Sequence, residues 1–326
     1  MARYRNFHEG EARLQSESGV DTALFDQMVE EPFRPALSPT EARFVAARTF
    51  SVAATIDGDG RSWASPLFGA PNALFTVTSP TSVRIAPEPT SGDPLFDAVS
   101  ASGELGVLYF DPSRRRRAKS LGRATVGSTP GTLDYETHRN FGLCTKYIAR
   151  RAHTPGEDAS EGGDDNRARA RVDHRLDAAD RRQLSETDTL FLASFHSEHG
   201  ADPTHRGGPP GFVKVVDDAT IRIPDYLGNG MFQTLGNLLL NPRIGLLSVD
   251  FGSGRALQIT GRGAIGPGSP HDLDAERTLE ITIEEVRTTW PRHGQWTFLE
   301  AYEFRPGLRN PATPYLPTIS SPTGTP

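Results

Sequence analysis

The chain of 326 residues has one cysteine, Cys144, so an intramolecular disulfide cannot brace it. It has no run of about 18 apolar residues, which argues against a membrane-spanning helix. Its start, Met1-Ala-Arg-Tyr-Arg-Asn-Phe7, leads into charge, so a secretory signal is not expected and a reducing cytoplasm is the expected compartment. A basic surplus is also missing: 35 Lys and Arg stand against 41 Asp and Glu, which disfavours a general nucleic-acid partner. There is no Ser-His-Asp elbow, Walker loop or Gly-x-Gly-x-x-Gly before a helix, so acyl transfer, ATP use and a Rossmann domain lack support. Hydrophobic residues make up only 36% and lie in short runs bounded by 32 Gly and 26 Pro, which suits strands joined by loops.

What is present is a duplication. Leu105-Gly-Val-Leu-Tyr-Phe-Asp111 through Gly122-Arg123 to Gly127 aligns without a gap on Ile244-Gly-Leu-Leu-Ser-Val-Asp250 through Gly261-Arg262 to Gly266, an offset of about 139 residues. Upstream, Phe50 to Thr55 matches Leu190 to Phe195, and Ser82 to Pro87 matches Thr220 to Asp225. Two copies of one β-rich module therefore sit in one polypeptide, and a site between them would be internal to the monomer.

The expected organisation is a helical arm over 1–48, a first barrel with a crossing segment over 49–152, a flexible linker over 153–176, a second barrel over 177–305 and a Pro/Thr-rich tail over 306–326. Ser38-Pro39-Thr-Glu41 reads as a capped helix start. Asp57-Gly-Asp-Gly60 between apolar runs reads as a hairpin. In each module six or so short strands, interrupted by one helix after the fourth, describe a small split antiparallel barrel; the fold class is mainly β with short helices. Thr132 to Arg151 reads as helical or mixed.

Chemistry concentrates in the second module. Thr204, His205, Arg206 and Gly207 end its second strand. Asn229, Gly230, Gln233, Thr234 and Asn237 follow its fourth strand and open a helix. Glycines and helix-start N–H groups suit a phosphate, and Arg206 offers a fork of donors. The plain alternative is that His205-Arg206-Gly207-Gly208 is a surface turn. The first module aligns Pro66 with Arg206, so the second module is expected to keep the site. The run Arg114-Arg-Arg-Arg117 reads either as a solvated hairpin turn or as a grip on an anion across the interface. Cys144 reads as a small buried apolar residue. His196, His199 and His205 lack a second ligand pair at fixed spacing, and no metal is expected.

The run Tyr226-Leu-Gly-Asn-Gly-Met-Phe-Gln-Thr-Leu-Gly-Asn-Leu-Leu-Leu-Asn-Pro-Arg-Ile-Gly-Leu-Leu247 resembles the strand-helix-Asn-Pro-strand signature of the pyridoxamine 5'-phosphate oxidase-like FMN-binding split barrels. Phe7-His-Glu-Gly-Glu11 and Phe141-Gly-Leu-Cys-Thr-Lys-Tyr-Ile148 resemble motifs of the tandem-barrel branch, although Leu143 and Thr145 stand where that branch shows Asn and Pro. The resemblance implies an intramolecular pseudo-dimer with one FMN in the cleft. It also implies that Lys146 and Tyr147 reach across to the wall built by the second module, with His205 and Tyr226 bordering the ring in catalytic roles. It further implies a flavin-dependent oxidoreductase acting on a small molecule, with NAD(P)H or oxygen as electron partner. Two rivals stay open: a flavin- or haem-binding protein without turnover, and a deazaflavin-dependent reductase. No nucleic-acid or membrane partner is expected, and pairing of two chains into a homodimer is left open.

Overall fold

A computed structural model describes residues 6–28, 33–156, 170–268, 275–291 and 294–303. Most of the expected linker (157–169) and the expected tail therefore lie outside the described residues. The chain opens with three helices, α1 (Glu9–Glu17), α2 (Thr22–Met28) and α3 (Pro39–Ala46). Ser38 caps α3 in a capping box with Glu41, and Pro39 occupies its first turn.

The first module follows as β1 (Phe50–Ile56), β2 (Ser62–Phe68), β3 (Phe75–Ser79), β4 (Ser82–Ile85), α4 (Leu95–Ser102), β5 (Glu104–Asp111), β6 (Arg116–Val126) and β7 (Leu133–Leu143). After β8 (Arg150–Thr154), β9 (Arg171–Asp173) and α5 (Ala178–Glu186) comes the second module. It comprises β10 (Thr189–His196), β11 (Gly200–Gly207), β12 (Lys214–Val215), β13 (Thr220–Tyr226), α6 (Gln233–Leu240), β14 (Arg243–Val249), β15 (Ala256–Pro267) and β16 (Ala275–Thr289). A last strand, β17 (Gln295–Glu300), pairs with β8.

The two sheets have one topology. The first runs β2-β1-β5-β6-β7-β4-β3 and the second β11-β10-β14-β15-β16-β13-β12, with β9 added beside β16. All named pairings are antiparallel, and neither sheet pairs its two edge strands, so each is a barrel left open on one side. Both sheets carry a bulge at the same place, before Gly122 and before Gly261. In the first module, side chains from every strand meet in one core that includes Leu67, Phe75, Ile85, Val107 and Tyr135, which requires the sheet to curl around them.

Two expectations are corrected here. The segment after Thr132 is strand β7, because Leu133, Tyr135 and Thr137 face inward while Asp134, Glu136 and His138 alternate outward, the period of a half-buried strand. At the end of the expected linker, Arg171–Asp173 is strand, paired with Val286 to Thr288 of β16.

The modules meet along equivalent surfaces. Gly106 of β5 lies against β11, where a Cβ would stand 2.1 Å from the Ala201 carbonyl oxygen. Gly245 of β14 lies against β2, where a Cβ would stand 2.6 Å from the Ser62 carbonyl oxygen. Around this crossing, Phe50, Val52, Leu108 and Phe110 of the first module pack with Phe191, Leu247 and Val249 of the second in one buried cluster. Arg61 adds an ion pair to Glu285 across the modules at 2.6 Å. This is the pseudo-dimer that the duplication leads one to expect.

Candidate functional site

Strand register fixes which residues of the two modules correspond. Val52 pairs with Pro66 on one side and Leu108 on the other, and Leu108 pairs with Lys119. In the second module Phe191 pairs with His205 and Leu247, and Leu247 pairs with Gln258. Pro66 therefore occupies the station of His205, Leu67 that of Arg206, and Gln258 that of Lys119. The sequence alignment placed Pro66 opposite Arg206, one residue off. In a strand that slip exchanges the two faces, so it matters which residue is matched.

A cleft opens between the end of β11, the end of β13, the first turn of α6 and the segment that follows β7, with about 840 Å³ of atom-free space including its mouth. Of the expected residues, Thr204, His205, Arg206, Gly207, Tyr226, Asn229, Gly230, Gln233, Thr234 and Tyr147 all line it. Asn237 and Lys146 do not. The Asn237 amide is spent beneath α6, donating to Ser194 Oγ at 2.9 Å and accepting from His8 Nε2 at 2.8 Å. At Lys146 the chain turns through the left-handed Tyr147 (φ 65°), and it is Tyr147 that reaches the cleft, its hydroxyl donating to the Leu227 carbonyl at 2.8 Å. Gly207 permits this crossing, since a Cβ there would stand 2.0 Å from the Tyr147 carbonyl oxygen.

Arg117 is the residue of the arginine run that enters the site. Its Nε donates to the Cys144 carbonyl at 2.8 Å, its Nη2 to Cys144 Sγ at 3.3 Å and its Nη1 to His205 Nδ1 at 2.8 Å. The other three arginines are used elsewhere. Arg114 is exposed, Arg115 donates to the Ile148 and Ala301 carbonyls, and Arg116 covers the Phe44 ring. Because a guanidinium only donates, His205 Nδ1 accepts, and the ring proton of the neutral imidazole resides on Nε2. Burial holds His205 well below the ordinary histidine range, with Arg117 adding to the effect. The ring stacks on Phe110 of the first module at 5.1 Å, and its buried Nε2 has no protein partner among the described residues. An unpaired buried donor costs about 1–3 kcal/mol, which marks it as a place to look for a ligand.

Arg206 is paired through Nη1 with Asp225 of β13. Among the described residues its Nε and Nη2 make no hydrogen bond. Beneath the cleft floor, Lys119 of the first module is ion-paired with Asp202 of the second, both only 1–2% exposed. Lys119 also donates to Gln233 Oε1 at 3.0 Å, and Thr234 Oγ1 donates to Asp202 Oδ2 at 3.3 Å. The pair thus fixes the two side chains that open α6. Burial pulls the Lys119 ammonium down, and the Asp202 carboxylate opposes that shift.

The helix starts differ between modules. In the first, the Asp93 carboxylate accepts from the Leu95 N–H at 2.8 Å and from Gln258 Nε2 at 3.0 Å. In the second, α6 starts after Phe232 in a left-handed conformation (φ 54°), with Gly230 also at positive φ, and no side chain caps it. The first module sets a carboxylate at the first N–H of its helix, whereas no side chain among the described residues does so in α6, whose Gln233, Thr234 and Leu235 line the cleft.

Sequence reasoning did not single out Asp225, Met231 and Phe232 on the walls or Lys119 with Asp202 beneath, and it met Arg117, Leu143 and Cys144 only within the arginine run and the crossing motif. The matched pair Lys119 and Gln258, a charge in one repeat and an amide in the other, was a usable signal. No helix among the described residues is long and apolar enough to cross a membrane.

No protein-family model matches the chain, and no curated protein does. Among solved structures, the chain is similar to a putative pyridoxamine 5'-phosphate oxidase from Lactobacillus delbrueckii, with 13% identity over 35% of this chain and 94% of that one and a TM-score of 0.29. It is similar to HupZ of Group A Streptococcus, with 13% identity over 36% and 98% and a TM-score of 0.30. It is also similar to an FAD-binding protein from Mesorhizobium loti, with 15% identity over 37% and 98% and a TM-score of 0.27. Each match spans about a third of this chain, the length of one module.

Proposed function

We propose that the cleft holds FMN and that the protein is a flavin-dependent oxidoreductase acting on a small molecule, with one site per chain. The observation that carries this reading is the start of α6, where no side chain among the described residues accepts from a main-chain N–H, set against the start of α4 in the matching place, where Asp93 accepts from the Leu95 N–H. A phosphate supplied by a ligand completes α6 as Asp93 completes α4. Arg206, through Nε and Nη2, is the side chain best placed to take that phosphate. His205, stacked on Phe110 and carrying its proton on Nε2, offers a donor for an acceptor on a flat ring. Tyr147 and Tyr226, 5.8 Å apart, offer aromatic surface at one side of the cleft.

A bound flavin would supply hydride or electron-pair transfer, while the chain supplies position, exclusion of water and fixed charge. The test is an absorption spectrum of the freshly purified protein, followed by titration with FMN and with the deazaflavin F420. Oxidation of NAD(P)H is then assayed with and without oxygen. Flavin bands and turnover support the reading. Tight binding with no turnover supports a carrier, selective binding of F420 supports a deazaflavin reductase, and no binding of either ends the proposal.

A further inference from the structure

Helix α1 crosses helix α6 so closely that neither residue at the crossing has room for a side chain. A Cβ on Gly10 would stand 2.2 Å from the Gly236 carbonyl oxygen, and one on Gly236 would stand 2.7 Å from the Glu11 nitrogen. Since α6 opens at the cleft, α1 backs one of its walls. It also holds the loop before α6, because Gln15 Nε2 donates to the Gly230 carbonyl at 3.2 Å. Arg277 Nη2 of β16 donates to Ser18 Oγ at 2.6 Å and ties down the far end of the arm.

Beneath the crossing lies a knot of titratable groups that the cleft does not use. His8 caps α1: its Nδ1 accepts from the Gly10 N–H at 3.1 Å, so its proton is on Nε2, which donates to Asn237 Oδ1 of α6. The ring stacks on His196 at the end of β10 (4.1 Å, 5°) and lies 5.1 Å from His199 in the following turn. Glu11 Oε2 accepts from the His8 N–H at 2.9 Å and stands 3.4 Å from His8 Nε2 and 3.8 Å from His199 Nδ1. Arg139 of β7 acts on all of these groups. Lys119 and Asp202 act on Glu11, and Glu9 and Glu198 act on His196. With both ring nitrogens of His8 committed, the cluster of His8, Glu11 and His199 does not offer a full set of lone pairs to a metal.

We propose that α1 is a pH-sensitive clamp, seated on α6 near neutral pH and released in acid through the packed rings of His8, His196 and His199, with loss of support for the cleft wall. The clamp concerns the same cleft as the flavin reading but does not depend on which ligand the cleft holds. Burial brings His8 down to about 4 and pushes His196 and His199 below the ordinary range, while burial lifts Glu11 to about 8. Undocked, the imidazoles titrate near 6.5 and the carboxyl near 4.5. As pH falls below about 6.5 the released state takes up protons, on His8 of the arm and on His196 and His199 that it uncovers, which the seated state refuses, so seating weakens. Glu11 acts oppositely over the whole interval from about 4.5 to about 8, where the seated carboxyl keeps a proton that the free one has lost, so its share strengthens seating as pH falls. Three rings outweigh one carboxyl, and the net loss is in acid.

The test is hydrogen exchange of the full chain without ligand, corrected for intrinsic rate, from pH 4.5 to 8. Protection of residues 9–17 and of the first turn of α6 is expected to fall between about pH 6 and 4.5 while β5 and β6 stay protected. His196→Gln and His199→Gln should each move that fall to lower pH. FMN retention, measured in parallel, should follow the arm; if the protein binds no FMN at all, the flavin reading fails and the exchange result still decides the clamp. Unchanged protection of α1 down to pH 4.5 would overturn the proposal. So would loss of α1 together with β5 and β6, or variants that release at the wild-type pH.

Discussion

Arg117 of the first module donates to His205 of the second at 2.8 Å, and the same guanidinium holds the Cys144 carbonyl. One side chain thus fixes the crossing segment, the imidazole tautomer and the distance between two cleft walls. Replacing it with Met keeps length but removes all three donors. Arg117→Met is expected to weaken FMN binding by about 1–3 kcal/mol, the usual range for charge-assisted bonds. Flavin fluorescence titration measures this, and an unchanged Kd would remove Arg117 from the site.

Arg206 sits in a different balance, since Asp225 takes one arm of its fork. Arg206→Ala leaves the Asp225 carboxylate facing the cleft without its partner and should weaken FMN binding by about 1–3 kcal/mol. Asp225→Asn frees the guanidinium and removes a negative charge, so affinity should hold or rise. Equal losses in both variants would show that the pair only braces β11 against β13.

The duplication, the succession of strands along the chain and the helix after each fourth strand were legible because they are written in local alternation and in a repeat that needs no tertiary knowledge. The helix expected after the fourth strand of the second module is α6, Gln233–Leu240. Strand β7 was missed because its polar face, Asp134 to His138, masked the inward Leu133 and Tyr135. The partner of His205 was missed because Arg117 lies in a run of four arginines, and no linear pattern says which one points inward. The correspondence of Pro66 with His205 needed the strand register. Similarity of residue type tolerates a slip of one residue, and a pleated sheet does not.

Gly106 and Gly245 are matched by the repeat and perform one task, letting a strand of each barrel touch the other. Ala at Gly106 would drive its methyl into the Ala201 carbonyl, and Ala at Gly245 into that of Ser62. Each change is expected to destabilise by about 1–3 kcal/mol through overpacking. Thermal melts should show both variants lowered. If either melts with the wild type, the interface tolerates more separation than the packing implies.

Asp93 gives a pH signature. Burial pushes its carboxyl up to about 6 from an ordinary 3.8, so the folded chain holds this proton more tightly than the unfolded chain. Its contribution is fully present below the unfolded value and is lost as pH rises through about 6. Asp93→Asn keeps an oxygen for the Leu95 N–H and has no proton to lose. The variant should therefore gain on the wild type as pH rises from 5 to 7.5, by about 2 °C or more in Tm. A constant difference across that range would mean that Asp93 ionises freely in the folded state.

Lys119 and Asp202 pose the sharpest contrast between the repeats, because Gln258 performs the matching role without a charge. A buried pair is held at a desolvation cost, and removing one member strands the other, typically at about 3–5 kcal/mol. Lys119→Gln should thus destabilise strongly, while Lys119→Gln with Asp202→Asn should recover much of the loss because it leaves no buried charge without a partner. If the pair served stability alone, the double variant would also bind FMN normally. The contacts to Gln233 and Thr234 argue otherwise, since the pair sets the side chains at the open start of α6. The double variant is therefore expected to fold, to melt near the wild type and to bind FMN more weakly. Titration beside a melt separates these outcomes, and full recovery of both would reduce the pair to scaffolding.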